Sequence, residues 1–202
     1  MLRFCILFFC ASHCQAASVL AQFKPVSLND NFALARQTTA PIGTFVGRYV
    51  NSNYGYSFLI PDAFKAISDP PPSPQHGVLI PLSEDARASI FVGGSYNSEE
   101  YRSASEAVDD DLKRMRENGS VIASSQTRKM RLGGLPAKRS IVHYRTQASG
   151  EKLVQDLVVC IRKEKNKESV VYEIYLSTPE KRYGRDRHIL DRVLHSWKNE
   201  FF

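Results

Sequence analysis

Between Ser120 and Ser177 the chain carries four long runs of β-branched, aromatic and alternating residues: Ser120 to Leu132, Leu135 to Thr146, Lys152 to Lys163 and Ser169 to Ser177. They are punctuated by Gly133-Gly134, by Ala148-Ser149-Gly150 and by a charged Glu164 to Glu168 turn. Strand-like runs joined so briefly predict an antiparallel meander, since a parallel pair needs a crossover of roughly a dozen residues or more. In the last run Val170, Tyr172, Ile174 and Leu176 share one face, while Val171, Glu173 and Tyr175 share the other. One face should therefore be packed and the other amphipathic.

A helix is predicted on each side of this meander. The first begins near Ser103, where Ser103-Ala-Ser-Glu106 can form a capping box for the unpaired backbone donors of the first turn. Tyr101, Ala104, Val108, Leu112 and Met115 recur at spacings of three and four and make one apolar stripe. Glu106 and Asp109-Asp110-Asp111 fall outside it, so the three aspartates read as a solvated face. Lys113, Arg114 and Arg116 follow late, as the helix dipole favours, and Asn118-Gly119 supplies a stop. The closing helix is expected after Thr178-Pro179, with Thr178 as cap and Leu190, Val193, Leu194 and Trp197 as apolar face.

Upstream, Thr44 to Asn51 and Tyr56 to Ile60 read as the two strands of a hairpin turned through Asn51 to Gly55, and Pro61 ends the second. The prolines of Ser68 to Pro74 predict a stiff loop, followed by short strands at Gly77 to Leu82 and Ala88 to Gly93. Residues 17–43 carry few apolar residues in any period and read as an extended or partly disordered lead-in. Residues 44–202 are expected to form a single α+β domain.

Met1 to Ala16 reads as a signal peptide: Arg3 makes the positive start, Phe4 to Ala11 the apolar stretch, and Cys14-Gln15-Ala16 the small-x-small site cut after Ala16. A periplasmic or secreted product is expected. His13 stands where a lipoprotein box needs a small residue, which makes simple cleavage the expectation and a lipid tether on Cys14 the alternative. The apolar stretch falls short of the roughly 20 residues that span a bilayer, and no later segment is longer or free of charge. Cys5, Cys10 and Cys14 leave with the peptide, so Cys160 alone remains and no intrachain disulfide can form. The net charge of +6 stays positive after Arg3 is lost and favours anionic surfaces. No focused basic stripe interleaved with aromatic platforms accompanies it, and nucleic acid is not an expected partner.

Catalytic patterns are sparse. His76, His143, His188 and His195 lack the spacing of a metalloprotease helix or a zinc finger, so no metal is expected. His188 and His195 share a helix face with Asp191 between them, an arrangement that an ordinary charged surface helix also produces. Gly93-Gly94-Ser95 lacks the rest of a nucleophile elbow, and His143-Tyr144 should point to opposite faces of a strand. Cys160, inside Leu157 to Ile161, reads as inert core. Neither Asp109 to Asp111 nor Glu84-Asp85 converges on one substrate, and Asn118-Gly119-Ser120 matches a glycosylation sequon by letters only. No cofactor is expected.

Basic residues gather at Arg128, Lys129 and Arg131 and at Lys138 and Arg139, on either side of Gly133-Gly134, and again at Lys181, Arg182, Arg185 and Arg187. If the first two groups form one hairpin, its tip presents a positive patch that can dock an acidic protein or touch anionic lipid peripherally. Arg128, Lys129, Arg131, Lys138 and Arg139 are the candidate partner-binding residues. The other reading is an edge hairpin whose charges prevent sheet-to-sheet aggregation.

Tyr54 to Pro61 with Phe64, the Ser105 to Leu112 helix, the Leu132-Gly-Gly-Leu-Pro-Ala-Lys138 hairpin and the terminal Ile189 to Trp197 together resemble the PsbP, Mog1 and DcrB group of folds over residues 44–198. The resemblance implies an α+β fold in which an antiparallel sheet is flanked by helices, with an N-terminal hairpin and a C-terminal helix. It implies a binding, chaperone or assembly role and supplies no catalytic residue. The expected function is an exported, non-catalytic module that recognises another protein, an immunity or accessory protein of the cell envelope being one form. A small envelope hydrolase and a lipid or small-ligand carrier are the alternatives. The first would need a cleft joining His143 or His188 to a serine or carboxylate, the second an apolar cavity between helix and sheet.

Overall fold

The computed structural model describes residues 43–68, 76–84, 87–163 and 168–200. The signal peptide, nearly all of the lead-in, most of the proline loop, Asp85 and most of the Glu164 to Glu168 turn lie outside the described residues. Thr44 to Asn51 is two strands rather than one, because Gly47 takes a left-handed φ of +69° and turns the chain between them. β1 (Thr44–Phe45) pairs with β4 (Ala66–Ser68), whereas β2 (Arg48–Asn51) forms the expected hairpin with β3 (Tyr56–Leu59).

β5 (Gly77–Pro81) and β6 (Ser89–Tyr96) continue from β4, and helix α1 (Ala104–Glu117) then leads into the meander. That meander is β7 (Ser120–Leu132), β8 (Leu135–Thr146), β9 (Lys152–Arg162) and β10 (Val170–Pro179), all antiparallel as expected. Its last strand inserts beside β6, which gives one antiparallel eight-stranded sheet in the order β1-β4-β5-β6-β10-β9-β8-β7. Helix α2 (Tyr183–Ser196) follows, and β11 (Lys198–Asn199) joins β3 in a small second sheet ordered β11-β3-β2.

The two helices lie on opposite faces of the large sheet. Tyr172, Ile174 and Leu176 of β10 share the larger core with Tyr56, Phe58 and the α2 residues Leu190, Val193 and Leu194. Val171 meets Leu157, Val159 and the α1 residues Ala107 and Val108 on the other side. The face expected to be amphipathic is thus covered by a helix as well. Each aliphatic side chain fully buried in these layers contributes roughly 1.5–3 kcal/mol, which outweighs any local propensity.

Helix ends follow side-chain chemistry in α1 and not in α2. Ser103 Oγ accepts the N–H of Glu106 at 3.2 Å, while Glu106 reaches back to the N–H of Arg102, one residue upstream of the position a capping box would use. Thr178, expected as the cap of the closing helix, instead ends β10 with Pro179 and donates its hydroxyl to Asp186 at 2.6 Å. A short 3-10 turn, Glu180–Arg182, intervenes before α2 begins at Tyr183.

Candidate functional site

Gly133 and Gly134 connect β7 and β8 with φ of +51° and +86°, the pair of positive angles that a two-residue type I′ turn requires. Leu132 and Leu135 close the turn, and Leu132 is buried in the main core. A Cβ on Gly133 would lie 2.5 Å from the ring of Trp197, so the indole at the end of α2 sits directly on the turn. The hairpin tip is therefore clamped to the body of the protein.

The ladder behind this turn sets Lys129 opposite Lys138, Arg128 opposite Arg139, and Arg131 opposite Pro136. Alternation puts Lys129, Arg131 and Lys138 on one face of the hairpin and Arg128 on the other. Arg128, Lys129 and Arg131 are exposed and Lys138 half-buried. Arg131 donates to the carbonyl of Gly134 in the turn. Among the described residues none of the four has an ion-pair partner. Like charges directly across an antiparallel ladder destabilise it, so the Lys129–Lys138 pair is a local cost that the fold carries.

Arg139, expected in the same patch, turns inward. Its Nε and Nη2 donate to Asp156 on β9 at 2.7 Å each, and its Nη1 donates to Asp191 on α2 at 2.8 Å. Tyr183 of α2 donates its hydroxyl to the same Asp156 at 2.8 Å. Burial alone would weaken the hold of Arg139 on its proton, but Asp156 and Asp191 outweigh it and tighten that hold. The residue docks α2 on the sheet, which leaves Lys129, Arg131 and Lys138 on one face of the hairpin and Arg128 on the other as the cations that reach solvent.

The Asp109 to Asp111 triplet is not a uniformly solvated face. Asp109 is exposed, Asp110 accepts the hydroxyl of Tyr101 at 2.6 Å and pairs with Arg114 at 3.2 Å, and Asp111 lies over the sheet, accepting from Gln155 at 2.8 Å. Successive helical residues diverge by about 100°, which is how one triplet meets solvent, its own helix and the sheet. Burial pushes the Asp111 carboxyl up to about 6 and that of Glu173, on the facing strand, up to about 7. Glu173 borders a crevice of ≈ 20 Å³ shared with His76, Phe91, Gly93, Gly94, Ser95 and Val171, a volume that admits about one water molecule.

Most of the remaining candidates are held by structural partners. His143 and Tyr144 do lie on opposite faces, with His143 Nδ1 3.0 Å from Glu180 and Tyr144 packed near Met115. His188 and His195 are exposed, and the carboxylate of Asp191 between them pairs with Arg139 and Arg187. Arg182 and Arg185 both bond Asp186. Cys160 is fully buried, and burial pushes its thiol up to about 12. Among the described residues no helix is long and apolar enough to cross a membrane.

The inward Arg139–Asp156–Asp191 network was not anticipated, although Asp156 carries a readable signal. It stands between Val154 and Val158 on the packed face of a strand, where a carboxylate demands a cation.

No protein-family model matches the chain, and no curated protein matches it in sequence. Its fold is that of LpqN of Mycobacterium tuberculosis, described as involved in cell envelope biogenesis, at 11% identity and a TM-score of 0.55 over 81% of this chain and 92% of that one. CyanoP, the PsbP of Synechocystis sp. PCC 6803, is similar at 16% identity and a TM-score of 0.47, covering 80% and 95% of the two chains. The Ran-binding protein Mog1p of Saccharomyces cerevisiae is similar at 12% identity and 0.46, covering 79% and 96%. The expected α+β fold is thus shared with LpqN, and the likeness to the PsbP and Mog1 proteins is one of fold alone.

Proposed function

We propose that the chain is an exported, non-catalytic binding module that recognises another protein through the tip of the β7–β8 hairpin. The observation that carries this reading is the cation set of Arg128, Lys129, Arg131 and Lys138, which has no ion-pair partner among the described residues and lies on a hairpin whose turn Trp197 holds in place. A positive surface mounted on a preorganised hairpin steers and orients an acidic partner at little ordering cost. The signal-like Met1 to Ala16 segment supports export, and an accessory or immunity role in the cell envelope is the form this reading takes. LpqN, of the same fold, is described as involved in cell envelope biogenesis, which fits that setting.

Affinity capture from envelope extracts of the producing cells tests the reading, with the tagged full chain compared against Arg128, Lys129, Arg131 and Lys138 all changed to Glu. A protein recovered by the wild type and lost by the variant is the expected result. Recovery of the same proteins by both, or of none by either, would remove the hairpin from the assignment.

A further inference from the structure

β7 ends the large sheet, and among the described residues no strand pairs with its outer side. It is long for an edge, and Ala123 to Lys129 are exposed throughout. The opposite edge, β1, is only two residues long and offers no comparable ladder.

The turn decides which backbone groups of β7 are free. In a two-residue hairpin the residues flanking the turn are a hydrogen-bonded pair, and bonded and non-bonded pairs alternate away from it. Leu132/Leu135, Met130/Ala137, Arg128/Arg139 and Gln126/Ile141 therefore exchange bonds with β8. Ser125, Thr127, Lys129 and Arg131 turn their N–H and C=O groups outward. The register shift between Ile122 and Ser124 interrupts the ladder just before this stretch and bounds it. The side chains of Lys129 and Arg131 share their face with Lys138, so the open amides and three cations sit side by side.

The geometry points to the outer edge of β7, from Ser125 to Arg131, as the acceptor for one extended acidic segment of a partner protein, which adds to the sheet as a ninth strand with its carboxylates facing Lys129, Arg131 and Lys138. This deepens the protein-recognition reading above and rests on it. Charges on an edge strand ordinarily protect against aggregation. Here three cations crowd one face and two of them oppose each other directly, a cost that an incoming acidic strand relieves. A second copy of this chain fits less well, since two β7 edges pairing antiparallel over this stretch would set Arg128 against its own copy, and β7 has no acidic side chain to offer Lys129 and Arg131. Backbone bonds then supply affinity and the alternating carboxylates supply selectivity.

The test measures binding of a labelled ten-residue peptide alternating glutamate and threonine to the full chain, beside a peptide alternating glutamate and proline, which keeps the charge but cannot pair as a strand. The glutamate–threonine peptide should bind about tenfold more tightly, and should slow amide exchange at Ser125, Thr127, Lys129 and Arg131. Thr127→Pro removes one outward donor without touching the β8 ladder, and should abolish that preference while leaving the weaker peptide unaffected. The exchange measurement on the wild type stands by itself if the variant folds poorly. Equal binding of the two peptides with no amide protection would overturn strand addition and leave the charged hairpin as a docking patch. Binding of phosphatidylglycerol vesicles in place of either peptide would overturn the acidic-strand partner. No binding of either peptide would also overturn the inference, and capture that still succeeds would then keep the broader reading.

Discussion

The guanidinium of Arg139 on β8 closes on the carboxylate of Asp156 on β9 through two bonds of 2.7 Å, with both side chains withdrawn from solvent. Asp191 and Tyr183, both from α2, add bonds of 2.8 Å to the same pair. The apolar side of the sheet thus holds a charged rivet that specifies where α2 lies. A buried pair of this kind is costly to desolvate, so its net worth is small while the cost of breaking it is large.

Replacing Arg139 with Met should therefore leave Asp156 charged and unpaired and destabilise the fold by about 3–5 kcal/mol. The double change Arg139→Met with Asp156→Leu should recover most of that loss. Urea unfolding followed by the fluorescence of Trp197, the single tryptophan, reads both. A double variant as unstable as the single one would show that the pair acts through shape and not charge.

Glu173 and Asp111 face each other beneath α1, with carboxyls pushed by burial up to about 7 and about 6. The folded protein holds these protons more tightly than the unfolded chain, whose carboxyls titrate near 4. Their protonated forms favour folding, so stability from this site is fully present below about pH 4 and is lost as pH rises through 6 to 7. Glu173→Gln should flatten that decline, gaining on the order of 1 kcal/mol over wild type at pH 8 and nothing at pH 4. Denaturation midpoints at the two pH values would reveal the difference, and a constant offset between the proteins would refute the titration.

Gly133 and Gly134 both have positive φ, yet only Gly133 lies against the Trp197 ring, while a Cβ on Gly134 meets open space. Gly133→Ala should cost about 1–3 kcal/mol, and Gly134→Asn less than about 1, because asparagine tolerates the left-handed region and nothing there obstructs it. Thermal unfolding of the two variants separates backbone strain from the steric clash. Equal losses would mean that the indole yields freely and does not clamp the hairpin.

Local chemistry made much of the fold readable. Gly133-Gly134 and Asn118-Gly119 stop their elements because glycine alone adopts those angles cheaply, and the bounds of β7 and β8 follow from them. The α1 stripe from Tyr101 to Met115 followed from a spacing that only a helix converts into one face. Arg139 shows where such reading stops. It alternates correctly in its strand, but whether that face meets solvent or Asp156 depends on α2, which lies far along the chain.

The four strands of the meander, the two helices and the basic composition of one hairpin were determined by the sequence itself, since each depends on neighbours within a few residues. The insertion of β10 beside β6, the pairing of β1 with β4, the burial of Arg139, the placing of Asp111 against the sheet and the position of β7 as the outermost described strand were decided only by the tertiary structure. Each depends on which distant surface covers a given face, and burial and desolvation act between surfaces that the order of the residues does not set side by side.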